Sequence, residues 1–297
     1  MKTSIAWSMV LLLWPGLVYA EWKPAHGPLS TRWTKDVSPD KVHPEYPRPQ
    51  MTRPEWQNLN GIWQFAQAGK EDMPPLGKNL DGQILVPFPV ESALSGVMKP
   101  YQRVWYRRLF DLKKDWAGQH VLLHFGAVNW EANVWLNGKK LGTHRGGYDG
   151  FSFDITDVLK KDGLQELVLS VWNPIDEGQQ PRGKQVRKPH GIMYTASTGI
   201  WQTVWLEPVQ AAHIQSLDIV PEVDGGKVRI RINTVGASPQ DMIAVNVEDH
   251  GKRVASAAGA PGQELAIPVP HAKLWTPEHP FLYTFTATLF HQGGRDT

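Results

Sequence analysis

The chain has 297 residues, with 31 Lys and Arg against 29 Asp and Glu, and no cysteine. A formal net charge of +2 gives no basic footprint for nucleic acid and no pull toward an anionic membrane surface. Without cysteine there are no disulfides, thiolate zinc sites or cysteine nucleophiles. The 41% of apolar residues suffice for a folded core, and domains of roughly 100–200 residues make two domains the expectation.

Residues 1–20 read as a secretory signal peptide. Lys2 supplies a positive start, Ile5 to Val18 is mostly apolar, and Val18-Tyr19-Ala20 ends in a small residue. The apolar run is short for a membrane span of about 20 residues and holds Pro15 and Gly16, so cleavage after Ala20 is expected rather than an anchor. That places the protein outside the cytoplasm, in a periplasm or the extracellular space. Twelve of the 14 Trp follow this segment. Aromatic side chains bury large areas and also stack on flat ligands, so their abundance in an exported chain hints at carbohydrate.

Residues 21–55 contain Pro24, Pro28, Pro39, Pro44, Pro47, Pro49 and Pro54 without periodicity. They read as an extended arm on the next domain, anchored by Trp22, Trp33 and Trp56. From about Leu59 the pattern is strands: 104–112, 120–128, 131–136, 151–155, 164–172 and 200–209. In "EANVWL" (131–136) Ala132, Val134 and Leu136 share one face, with Asn133 and Trp135 on the other. Asn137-Gly138 then predicts a two-residue hairpin, because both positions need positive φ. Helix is confined to one or two turns at 91–97 and 157–161.

A second block starts near Ala211. "KVRIRIN" (227–233) alternates strictly, His250-Gly251 marks another hairpin, and "FLYTFTATLF" (281–290) is a further strand. Short strands at close spacing, without strand–helix alternation, indicate sandwiches rather than a parallel α/β sheet. The closing "HQGGRDT" reads as turn material, which leaves the second sandwich short of its last strand.

Catalytic motifs are scarce. His120 and His124 point to one face of a strand, but no third ligand sits at a telling spacing, so no metal is assigned. Asp149, Asp154 and Asp157 read as turn and strand-end caps rather than a calcium loop. No Gly-rich phosphate loop or nucleophile elbow occurs, and no cofactor is implied. The sequence selects no carboxylate pair for glycoside chemistry, so no catalytic residue is assigned.

Five motifs in order carry a family resemblance: "LNGIWQFA" (59–66), "ILVPFPVESALSG" (84–96), "YQRVWYRRLF" (101–110), "GGYDGFSFDITDVL" (146–159) and "TGIWQTVWLEPV" (198–209). They resemble the jelly-roll sugar-binding domain of glycoside hydrolase family 2, which includes β-galactosidases, β-glucuronidases and β-mannosidases. "LWTPEHPFLYTFTATL" (274–289) is similar to the late part of that family's immunoglobulin-like domain. Gly150 stands where the family often has Pro, and Asn129 where Asp is common.

The resemblance implies an all-β chain with a jelly-roll sandwich at 56–209 followed by an immunoglobulin-like sandwich at 210–297. It also implies a retaining exo-glycosidase whose acid/base and nucleophile Glu lie on a TIM barrel. A barrel needs about 250 residues, and its motifs are not in this sequence. The implied role is therefore non-catalytic, with partners in a terminal β-linked sugar and the barrel itself. By position, the loops that would reach the sugar hold Tyr101, Gln102 and Arg103, Tyr148 and Asp149, and His190, Tyr194 and Thr195. Trp130 and Trp201 are weaker candidates, because a strand Trp is usually core. A stand-alone carbohydrate-binding module and a structural adhesion sandwich are the rival readings.

Overall fold

The computed structural model describes residues 22–297; the signal-peptide reading of 1–20 falls outside the described residues. The strands of the first sandwich are β1 (Gln57–Asn58), β2 (Gly61–Gln67), β3 (Gly82–Val86), β4 (Arg103–Phe110), β5 (His120–Phe125), β6 (Val128–Asn129), β7 (Glu131–Leu136), β8 (Lys139–Arg145), β9 (Phe151–Asp154), β10 (Gln165–Trp172), β11 (Gln185–Val186), β12 (Tyr194–Thr195), β13 (Gly199–Ile200) and β14 (Val204–Val209). Those of the second are β15 (His213–Glu222), β16 (Lys227–Val235), β17 (Met242–Asp249), β18 (Lys252–Gly259), β19 (Glu264–Pro268), β20 (Thr284–His291) and β21 (Gly294–Asp296). Among the described residues the helical structure is short 3-10 turns, including Ala93–Ser95 inside the segment read as helical at 91–97 and Thr156–Val158, which overlaps only the start of the one read at 157–161.

In the first sandwich a six-stranded sheet, ordered β3-β2-β4-β10-β7-β8, faces a four-stranded sheet, ordered β1-β14-β5-β9. The alternation read in 131–136 is realised: Ala132, Val134 and Leu136 are buried, and Glu131, Asn133 and Trp135 turn outward. They meet Phe125, Leu123 and Leu206 of the facing sheet in one core, with Trp63 and Tyr106 fully buried beside them. β14 is buried at all six positions, because the core covers one face and the Pro-rich arm the other. The Asn137-Gly138 hairpin has φ of 50° and 85°, as its turn chemistry requires.

The second sandwich packs β15-β16-β19 against β18-β17-β20-β21 around Ile230, Ile232, Val245, Val247 and Leu289. Its tail departs from the sequence reading. Gln292 and Gly293, with φ of 45° and 80°, form a tight turn, and Gly294–Asp296 pairs back along Leu289–His291. The edge beside β20 is thus occupied. Three residues are too few to give an alternating signal, so the segment read as turn alone.

The arm also differs in its anchors. Trp33 is exposed, and Val42 is the buried apolar residue of the segment. Trp56 meets Tyr46 edge-on at 5.5 Å. The stronger attachment is polar, through Tyr46, Arg48 and Arg53.

Candidate functional site

The loop of residues 173–202 carries three of the eight candidate residues, His190, Tyr194 and Thr195, and a buried polar frame holds it. Asn173, at the end of β10, donates from Nδ2 to Thr198 Oγ1 (2.9 Å) and accepts at Oδ1 from the Ile175 amide (2.9 Å). Glu91 Oε2 accepts from the Thr198 amide (2.8 Å). Burial pushes the Glu91 carboxyl above its ordinary value, against the Thr198 bond that lowers it. Asn129 Nδ2 donates to Ser197 O (2.7 Å), and the Ser197 amide donates to Gln185 Oε1 (2.7 Å). Gly199 closes this frame over Tyr106. Its φ is +94°, and a Cβ there would lie 1.9 Å from the Tyr106 hydroxyl, so no side chain fits.

On this frame several predicted residues converge. Gln102 Nε2 donates to Glu177 Oε2 (2.7 Å). Glu177 Oε1 pairs with Arg187 Nη1 (2.5 Å), whose Nε donates to Asp176 Oδ1 (2.8 Å). That chain ties Gln102 to the stretch leading to His190, whose Nδ1 lies 2.9 Å from Lys188 O. Tyr194 and Thr195 pair in parallel with Gln185 and Val186, leaving both side chains exposed. Lys184 Nζ stands 5.8 Å from the Tyr194 ring. Tyr148 is exposed and edge-on to Trp201 (6.2 Å), while Trp201 Nε1 donates to Gly147 O (2.7 Å). A Cβ at Gly183 would lie 3.7 Å from the Tyr148 hydroxyl, so the Tyr148 loop touches the same long loop. Asp149 is exposed beside His144; burial lowers the His144 imidazole, and the Asp149 charge opposes that shift.

Two predicted residues stand apart. The Tyr101 ring packs inward on Phe65 at 6.0 Å, so its ring is core lining. Arg103 lies on the outer face of the six-stranded sheet, where its guanidinium stacks over Trp172 at 4.7 Å. Strand alternation sends it away from Val104 and the core. Trp130 is half-buried, and its carbonyl accepts from the Gly146 amide (3.3 Å).

The strongest electrostatic feature is one that sequence reasoning missed. Glu207, fully buried on β14, accepts from the Tyr46 hydroxyl, from Arg48 Nη2 (2.6 Å to each oxygen) and from Trp205 Nε1 (2.9 Å). His124 Nε2 lies 3.2 Å from its Oε2, and Arg53 Nε lies 3.6 Å away. Burial would raise this carboxyl, but His124, Arg48 and Tyr46 together hold it at about 2. Burial and the Glu207 bond push the Tyr46 phenol up to about 12. Burial also keeps the His124 imidazole below its usual value against the pull of Glu207. Arg48 and Arg53 are therefore the standing cations.

Arg53 extends the cluster into the second sandwich. It pairs with Asp296 and donates to Ile214 O (2.8 Å), while Asp296 Oδ2 accepts from the Ile214 amide (2.7 Å). With both its oxygens committed, Glu207 is a clasp between arm and sandwiches rather than a reacting group. The signal was a lone Glu inside the apolar run "VWLEPV", opposite an arm that supplies Arg48 and Arg53.

Residues 91–202 match the family model described as glycosyl hydrolase 2 galactose-binding domain-like, and residues 212–297 match the one described as glycosyl hydrolases family 2. The chain belongs to glycoside hydrolase family 2. Among its relatives, a β-glucuronidase of Paenibacillus borealis is 25% identical over 277 residues, covering 84% of this chain and 45% of the relative. A β-galactosidase of Thermoanaerobacter pseudethanolicus is 28% identical over 196 residues, covering 62% of this chain and 26% of the relative. The solved β-glucuronidase of Ruminococcus gnavus in complex with D-glucaro 1,5-lactone superposes with a TM-score of 0.69 at 22% identity. That match covers 83% of this chain and 45% of that one, and it supports the fold. The chain thus spans less than half the length of these relatives.

Proposed function

We propose that the chain is the non-catalytic amino-terminal part of an exported family 2 glycosidase, and that loop 173–202, with Gln102 and Tyr148, walls the substrate pocket of a catalytic barrel. Convergence carries this reading: candidate residues far apart in sequence meet on one loop that a buried polar frame holds still. A pocket wall needs such rigidity, because small misplacements of substrate cost rate steeply. On this reading the first domain ends near Val209, between the last strand of one core and the first of the next.

A retaining glycosidase needs two carboxyl groups about 5–5.5 Å apart flanking the scissile bond. In the loop, Asp176 and Glu177 are both tied to Arg187, and Glu177 also to Gln102. They hold shape, and the reacting pair would come from the barrel. The reaction would be hydrolysis of a terminal β-linked sugar. A β-glucuronide is the first substrate to test, because relatives named β-glucuronidase span this chain most fully.

The test is to express the uninterrupted reading frame that contains codon 297 and to assay it on 4-nitrophenyl β-D-glucuronide and β-D-galactoside. Turnover is expected on one of them, with Tyr194→Ala raising KM about tenfold, equivalent to about 1.4 kcal/mol of binding. An unchanged KM in Tyr194→Ala and in Gln102→Ala would remove these loops from the pocket.

A further inference from the structure

The outer face of the six-stranded sheet carries a second constellation, one that uses neither the 173–202 loop nor the clasp. Strand register brings it together. Trp172 lies between Arg103 and Glu131, and Ser170 between Trp105 and Asn133. Trp105 is nearly buried and meets Trp135 at 5.8 Å, forming a floor, while Trp135 and Trp172 are half-exposed walls. The loop from Ala68 to Pro74 forms the opposite bank of a cleft of about 260 Å³. Binding sites for small molecules usually run from roughly 300 to 1,000 Å³, so this cleft suits one ring of a longer ligand.

Lys70 and Arg103 line the cleft together with two carboxylates, Asp72 and Glu131, and Arg145 at its edge brings the local sum to one excess positive charge. Glu131 is engaged by Arg145 (2.7 Å), and Asp72 accepts from the Gly69 amide (2.6 Å). Arg103 and Lys70 form no ion pair among the described residues. The Arg103 guanidinium carbon lies over the Trp172 ring at 4.7 Å, a cation–π contact that keeps its N–H donors at the cleft wall. Asn133 Oδ1 is used by the Thr143 hydroxyl (2.6 Å), which leaves its amide N–H groups to donate. Aromatic walls with donors and two unpaired cations match a pyranose ring that bears a carboxylate. The apolar ring face would lie on indole, the carboxylate would take the Arg103 fork, and hydroxyls would take Asn133 and Lys70.

We propose that this tryptophan-lined cleft is a non-catalytic binding site for one uronate ring of an acidic glycan. The proposal rests on the cleft alone and does not depend on the pocket reading above. It is tested by native affinity electrophoresis of the full chain in gels containing glucuronoxylan or neutral galactan. Glucuronoxylan is expected to retard the protein, and galactan to do so less. Arg103→Ala and Trp172→Ala should each weaken retardation by about tenfold, whereas Lys139→Ala, a surface cation outside the cleft, should not change it. If Trp172→Ala fails to fold, Lys70→Ala reads the same cleft from an exposed loop, with a loss of at least threefold expected. No retardation by glucuronoxylan, stronger retardation by galactan, or retardation untouched by Arg103→Ala and Lys70→Ala would overturn the proposal.

Discussion

Glu207 shows how one carboxylate can join three parts of a chain. Its folded value of about 2 lies below the ordinary 4.5, so the unfolded chain binds a proton more readily in acid. Its stabilisation is therefore complete above pH 4.5 and is lost as pH falls toward 2. The size is about 3 kcal/mol as an upper bound. His124 acts in the same direction, since its folded value is also lowered and acid favours the unfolded, protonated form. Urea midpoints should fall between pH 4.5 and 2 in the parent. Glu207→Gln should cost about 3 kcal/mol at pH 7, because Arg48 loses its buried partner while Arg53 keeps Asp296, and should flatten that acid dependence. A Glu207→Gln protein as stable as its parent at pH 7 would contradict the clasp.

Gly199 makes the complementary point about shape. Gly199→Ala must move either the loop or Tyr106, and should destabilise by more than about 2 kcal/mol, read as a shift in denaturant midpoint. An unchanged midpoint would mean that the loop is not pressed on Tyr106. The sequence made exposed loop residues such as Tyr148 and Tyr194 visible, through glycine-rich and small-residue surroundings. It concealed Glu91, Asn173 and Glu207, whose partners lie far away in the chain. It grouped Tyr101-Gln102-Arg103 as one motif, whereas adjacent strand residues point to opposite faces and the three side chains go to three different places.

Among elements, the hairpins were the most legible. Asn137-Gly138 and His250-Gly251 both carry the positive φ pair that their side-chain chemistry announces, because such turns are local. Gln292-Gly293 obeys the same rule, but the strand after it is three residues long. Gly138→Val places a β-branched residue at φ 85° and should cost more than about 1 kcal/mol, measured as a lowered unfolding midpoint. The short strand β21 draws its hold from Asp296, through the Ile214 amide and Arg53. Asp296→Ala should speed proteolytic cleavage of the arm near Arg53 several-fold; an unchanged cleavage rate would show that the arm is held elsewhere.

The two sandwiches were readable from strand spacing and from the missing strand–helix alternation, since burying one face of each strand dictates period two. How they are joined was not readable. The arm was legible as proline-rich and extended, yet its role as a strap depends on ionic contacts that no periodicity encodes. With Arg53 bridging Asp296 and the Glu207 cluster, denaturation of the chain should be a single transition, and Arg53→Ala should split it into two.

On the proposed reading, residues 22–297 bind and shape the substrate but do not cleave it. The direct measurement is hydrolysis of 4-nitrophenyl β-D-glucuronide and β-D-galactoside by the purified 297-residue protein. No turnover above buffer is predicted. Turnover that disappears when an Asp or Glu within 22–297 is replaced would contradict the account.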